Sequence, residues 1–241
     1  MNVELLEVEK KHLLSLKKEV DQALFVKIDD DFKIKYAHDA VHIEGENSIT
    51  LAEAYTLQKV STEKRISELE QKELLNHIKA YDHVRDEALK GTVVSEDLIK
   101  DVHQQILEDI MPGGLYRQVN IGLKGQHQPP DYVKVYDRMK KLINDLEFSF
   151  KGTAIEKAAY IHLTIGKIHP FIDGNGRLGR LMMNYYLIQN DYLPISISDN
   201  DKEAYFAALD QFKIQKSMTK MVDLIVELLL ERYNEVNQKL H

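Results

Sequence analysis

The chain has 241 residues, enough for one domain with a helical extension and ample for a buried core. Its formal charge of −7 argues against broad nucleic-acid binding, because a phosphate backbone demands a basic surface, and its lack of cysteine excludes disulfides and cysteine-bound zinc and fits a reducing compartment. The opening Met1-Asn2-Val3-Glu4 is charged early with no apolar secretory stretch, so a cytoplasmic protein is expected.

Apolar positions recur at helical spacing along most of the chain, which predicts a nearly all-α fold. Leu5–Val20 reads as a helix, residues 1–30 as an N-terminal helical extension, and 31–241 as the main domain. The run Asp29-Asp30-Asp31 reads as a solvated loop. His38 and His42 stand four apart, which is metal-ligand spacing on a helix, but no third ligand follows and they read as surface or interface residues. Ala40-Val41-His42-Ile43-Glu44-Gly45 reads as a helix end with Gly45 as its stop, and Thr50 with Glu53 forms a capping box for the next helix. Ser95 is the expected N-cap of the helix that holds His103. Val119, Asn120, Ile121, Gly122 and Leu123, followed by Lys124-Gly125 and a return to Gln128, predict one short β-hairpin closed by Pro129-Pro130. A lone hairpin leaves an unpaired edge that can accept a segment of another protein as an added strand.

Thr153–Ile168 predicts a helix opened by a second capping box, Thr153 with Glu156, and stopped by Pro170, so that it delivers His169 at its C-terminal end. Phe171-Ile172-Asp173-Gly174-Asn175-Gly176 follows, and Gly174 and Gly176 give the turn access to positive φ and close approach to a ligand. From Arg177 onward a further helix is expected. A glycine turn feeding a helix N-terminus aims free N–H groups and a positive dipole end at one spot, which is an anion site. Arg177 and Arg180 lie on one face of that first turn, where two cations oppose the dipole unless an anion is bound. Leu193–Ser198 reads as a connector to a helix over Asp201–Phe212, and Ser217–Lys239 as an amphipathic helix that packs on the core or serves a homo-oligomer interface. Glu227 and Glu231 interrupt that last helix too early for a membrane span, so no membrane partner is expected. GxxxxGK[ST] is absent, which argues against a Walker-type nucleotidase.

The stretch His169 to Arg180 resembles, position by position, the HPFxDGNGRxxR signature of the Fic (filamentation induced by cAMP) family of nucleotidyl transferases. The resemblance implies a helical-bundle Fic fold with the hairpin as a flap, and transfer of AMP from ATP to a Ser, Thr or Tyr hydroxyl of a protein. It implies His169 as general base, Asp173 as Mg²⁺ ligand, and Asn175 with the Gly174 and Gly176 backbone as a phosphate cradle. Arg177 and Arg180 then hold the β- and γ-phosphates, Tyr205 and Phe206 lie near the adenine, and Val119–Leu123 dock the target, which includes the chain itself in self-modification. Ala40–Asn47 is similar to the family's inhibitory helix, here expected over about 31–45, in which Glu44 pairs with Arg180. It departs from that pattern at Ala40, where Ser or Thr is usual, and at Glu46, which separates Gly45 from Asn47. Two alternatives stay open: a deAMPylase in which Glu44 positions water, and a nucleotide-sensing interaction module with little catalysis.

Overall fold

From Asn175 to Gln189 nearly every side chain is apolar or paired, and a helix that is apolar all round must lie at the centre of its fold. This is α8 (Asn175–Gln189), buried on all sides through Leu178, Leu181, Met182, Met183, Tyr185 and Leu187. The computed structural model describes residues 3–43, 47–57, 66–123 and 128–240. Against α8 lies α7 (Ala154–Ile168), whose N-terminus carries the expected Thr153–Glu156 capping box. The approach of the two helices needs Gly179: a Cβ there would meet His162 Nδ1 at 2.4 Å, a distance no real side chain tolerates.

Around this pair sit α4 (Glu68–Leu89), α5 (Glu96–Ile106), α6 (Val135–Asn144), α9 (Lys202–Gln215) and α10 (Thr219–Leu240). Ser95 caps α5 as expected, accepting from the Leu98 N–H at 3.1 Å. Among the described residues every regular element is helical, in line with the expected all-α class. The strands of the expected hairpin do not form: Val119–Leu123 is irregular, and Lys124–His127 lies outside the described residues. Gln128, the next described residue, meets Leu123 through its side chain, which accepts from the Leu123 N–H at 3.4 Å and donates to its carbonyl at 3.3 Å.

The N-terminal helices are α1 (Val3–Leu16) and α2 (Gln22–His42), followed by α3 (Leu51–Leu57) behind the expected Thr50–Glu53 capping box. Asp29, Asp30 and Asp31 are not a loop, for they lie inside α2. Their charge is compensated by neighbours: Asp29 pairs with Arg85, and Lys33 bridges Asp30 at 3.3 Å and Asp82 at 3.1 Å. A cation three or four residues away, or on a facing helix, makes an acidic run compatible with helix. α2 runs unbroken through residue 30 and has two apolar faces. Ile28, Phe32 and Tyr36 enter the main core, while Ile34, Ala37 and Val41 form a smaller core with Ile49, Ala54, Leu57, Leu74 and Ile78. The second cluster ties the C-terminal half of α2 to α3 and α4. No described helix is long and apolar enough to cross a membrane.

Candidate functional site

The chain leaves α7 through His169, which takes the left-handed conformation (φ 52°, ψ 63°) and gives its N–H to the Ile165 carbonyl at 2.8 Å. Such a backbone costs a non-glycine residue roughly 1–3 kcal/mol and persists only where the surroundings over-determine it. Here the clamp is Arg117, a buried side chain whose Nε donates to the His169 carbonyl at 2.8 Å, while its backbone N–H donates to Pro170 O at 2.9 Å. Nη1 of the same guanidinium donates to the Val119 carbonyl at 2.8 Å. One arginine therefore fixes both the backbone of the histidine and the start of the Val119–Leu123 segment.

The next turn is braced from within. Asn175 Oδ1 accepts from the Phe171 N–H and its Nδ2 donates to the Phe171 carbonyl, both at 3.0 Å, in a buried setting. That side chain is committed to the loop, so only the backbone of Asn175 faces the cradle. Gly174 caps α8 with φ +74° and no capping side chain, which leaves the first-turn N–H groups of α8 to an outside acceptor. Gly176, expected to share the positive φ, instead lies within the first turn of α8. The left-handed residue of this turn is Gly174, and a Cβ on it would come 3.2 Å from His103 Nε2.

His103, on α5, is the residue that motif reading could not reach. Its ring stacks on Phe171 with centroids 3.6 Å apart. Nδ1 accepts the Gly114 N–H at 2.9 Å, which places the ring proton on Nε2, and Nε2 donates to the Asp173 carbonyl at 2.8 Å. Burial pushes its pKa down to about 4, against the opposing effect of the Asp173 bond, so the ring is neutral at pH 7.

The two motif arginines are both buried and serve different partners. Arg177 Nη2 bonds Asp173 Oδ2 at 2.8 Å, and Nη1 lies 3.5 Å from Glu73 Oε1 on α4. Glu73 in turn accepts from Asn47 Nδ2 at 3.0 Å through its other oxygen. Arg180, 1% exposed, reaches across to the end of α2: Nη2 donates to the Ala40 carbonyl at 2.8 Å and Nη1 to the Tyr205 hydroxyl at 3.0 Å. These acceptors offset the cost of burying two cations in the first two turns of a helix, where Arg177 falls in the first turn and Arg180 in the second. Tyr205 is thus a buried partner of Arg180, also stacked on His162 at 5.6 Å, while Phe206 packs edge-on against it and remains 40% exposed. Burial first and Arg180 second push the His162 pKa down to about 3, so no second cation sits beside the arginine. Glu44 lies outside the described residues.

The site gathers His169, Asp173, the N-terminus of α8 and both arginines on one loop and one helix end. No group of three His, Cys, Asp or Glu side chains among the described residues could hold a metal. Asp173 is a single, half-exposed carboxylate, which suits Mg²⁺, an ion that takes one or two protein carboxylates and completes its shell with phosphate oxygens and water.

Residues 93–187, which contain this loop and most of α8, match the family model described as the Fic/DOC family. The chain therefore contains a Fic/DOC-family region. It is 29% identical over 180 residues to the protein adenylyltransferase Fic of Drosophila persimilis, a match covering 71% of this chain and 34% of the relative. The like-named protein of Drosophila willistoni is also 29% identical, over 71% of this chain and 35% of its own length. The chain thus spans about a third of the length of the curated relatives it matches. Its fold is that of a Fic domain containing signaling protein from Bacteroides thetaiotaomicron, with a TM-score of 0.89 at 21% identity over 99% of this chain and 96% of that one. Fic-1 from C. elegans superposes with a TM-score of 0.85 at 20% identity, over 98% of this chain and 70% of that one.

Proposed function

We propose that this chain is a protein adenylyltransferase that moves AMP from ATP to a Ser, Thr or Tyr hydroxyl of a protein, and that the end of α2 restrains it. The observation that carries the reading is the convergence of a clamped His169, the uncapped N-terminus of α8 and two buried arginines on one short loop.

His169 accepts the proton of the attacking hydroxyl, a task suited to an imidazole, which titrates near neutrality. The hydroxyl oxygen bonds the α-phosphorus as the link to the oxygen bridging the α- and β-phosphates breaks, and pyrophosphate leaves. The first-turn N–H groups of α8 and the guanidinium groups of Arg177 and Arg180 take up phosphate charge. Asp173 would hold Mg²⁺, which neutralises part of the triphosphate charge when bound. Until then Asp173 and Arg177 keep each other oriented through their 2.8 Å contact. Tyr205 and Phe206 border the nucleotide from α9, Tyr205 by setting Arg180 and Phe206 by its exposed ring. The Val119–Leu123 segment presents the target, tied to His169 through Arg117.

Restraint acts on Arg180, whose Nη2 serves a carbonyl of α2 rather than a phosphate. Glu44 follows Ala40 by four residues in the sequence, and in the proposed restraint it is the acid that pairs with this guanidinium. At about 4 Å and an effective dielectric near 20, such a pair attracts by about 4 kcal/mol before desolvation.

The test is the intact mass of wild type, Glu44→Gly and Glu44→Gly with His169→Ala after incubation with ATP and Mg²⁺. An AMP-sized gain in Glu44→Gly, small in wild type and absent from the double variant, is the expected result. No gain in any variant, with no transfer to proteins of a lysate, would remove the adenylyltransferase reading. An equal gain in wild type and Glu44→Gly would remove the restraint alone.

A further inference from the structure

A cavity of about 320 Å³ lies far along α2 from Arg180, enclosed by α1, the first half of α2, α4, the connector after α8, and α10. Its size is that of a small-molecule pocket. Leu13, Phe25, Ile28 and Ile188 give it an apolar wall. Two polar side chains in that wall are more than nine-tenths buried and have donors without a hydrogen-bond partner: the Tyr81 hydroxyl and Arg232 Nε. A buried donor left unpaired is costly, and one on an arginine more so, so the pair calls for an acceptor from outside the chain. Burial holds the Tyr81 phenol in its protonated, donating form.

The charge around the cavity has one sign in excess, with Lys10, Lys17, Arg85 and Arg232 set against Asp29 and Asp191. Arg85 is matched by Asp29, and Arg232 by Glu235 at 2.8 Å. Lys10 and Lys17 also line the cavity, and neither has a carboxylate partner among the described residues. Lys10 instead donates to the Asn190 carbonyl at 2.6 Å and lies 4.1 Å from the Tyr192 ring centre, and Lys17 lies 6.0 Å from that of Phe25. Unpaired donors, surplus cations and an aliphatic and aromatic wall define the complement: an apolar body with one anionic acceptor.

We propose that this cavity is a second ligand site, separate from the α7–α8 loop, that takes a small apolar carboxylate with its oxygens on Tyr81 and Arg232. The site does not depend on the adenylyltransferase reading, and its test involves no nucleotide. Isothermal titration calorimetry of the whole chain with decanoate, kept below its micelle threshold, should give one saturable site. Tyr81→Phe, which removes a single oxygen, should weaken binding roughly tenfold, and Leu14→Trp, which adds bulk to the lining, should abolish it. Circular dichroism melts establish that each variant is folded. Absence of saturable decanoate binding to wild type would overturn the proposal. So would equal binding of decyltrimethylammonium, or decanoate binding unchanged by Leu14→Trp, since either would mean apolar association without the site.

Discussion

The loop from His169 to Gly174 and the segment from Val119 to Leu123 start from the same arginine and are built in opposite ways. The first is tied by Arg117, Asn175 and His103, each through buried hydrogen bonds to its backbone. The second is held at Val119 by that arginine and near Asn120 by the Tyr132 N–H, but its far end rests on two long bonds from Gln128, and Val119, Asn120 and Gly122 are exposed. Chemistry needs reacting groups fixed to fractions of an ångström, whereas a surface that receives another protein benefits from backbone groups left for the partner. The contrast lies in where the buried bonds are spent.

That contrast can be broken on its rigid side first. Because His103 is neutral in the fold at a pKa near 4 and titrates near 6.5 when unfolded, the unfolded chain binds the extra proton between those values. Stability from this group is complete above about pH 6.5, falls as pH drops, and is lost by about pH 4. The loss amounts to about 3 kcal/mol at most, and His103→Gln should flatten that part of a melting-temperature profile against pH. Asn175→Ala strands the N–H and carbonyl of Phe171 in the core and should cost about 2 kcal/mol in a denaturant titration, with a fall in turnover larger than the fall in nucleotide affinity. Gly174→Ala combines a positive φ with a Cβ at 3.2 Å from His103, for a cost of about 1 kcal/mol or somewhat more by the same titration. On the yielding side, Gln128→Ala removes only exposed bonds and should shift stability by less than about 0.5 kcal/mol. If the segment docks targets, the same change raises the KM for a protein substrate and leaves that for ATP alone.

Much of the fold was legible because its signals are local. Thr153 with Glu156, Thr50 with Glu53, and Ser95 each announce a helix within four residues, and each does so in the structure. The loop from His169 to Arg180 was legible for the same reason, as one unbroken run. What was not legible depends on distance along the chain: Arg117 finds His169 across 52 residues, and His103 finds Asp173 across 70. The acidic run at Asp29–Asp31 misled because only part of its compensation, Lys33, is local, while Arg85 stands on another helix. Gly176 misled because a glycine beside a turn can as well be the first-turn residue of the helix that follows. Asn175 was expected in a phosphate cradle, and the structure shows its amide bracing Phe171, a task no spacing encodes.

The hydrogen bond from Arg180 to the Ala40 carbonyl has a thermodynamic corollary. In the proposed function the same guanidinium also takes the γ-phosphate, so on that reading seating of α2 and seating of a triphosphate compete for one set of donors and oppose one another. Such opposition is reciprocal: whatever factor α2 takes from triphosphate affinity, the triphosphate takes from the docking of α2. Amide hydrogen exchange along the last turns of α2 should therefore quicken when ATP is added and stay unchanged with AMP, which carries no γ-phosphate.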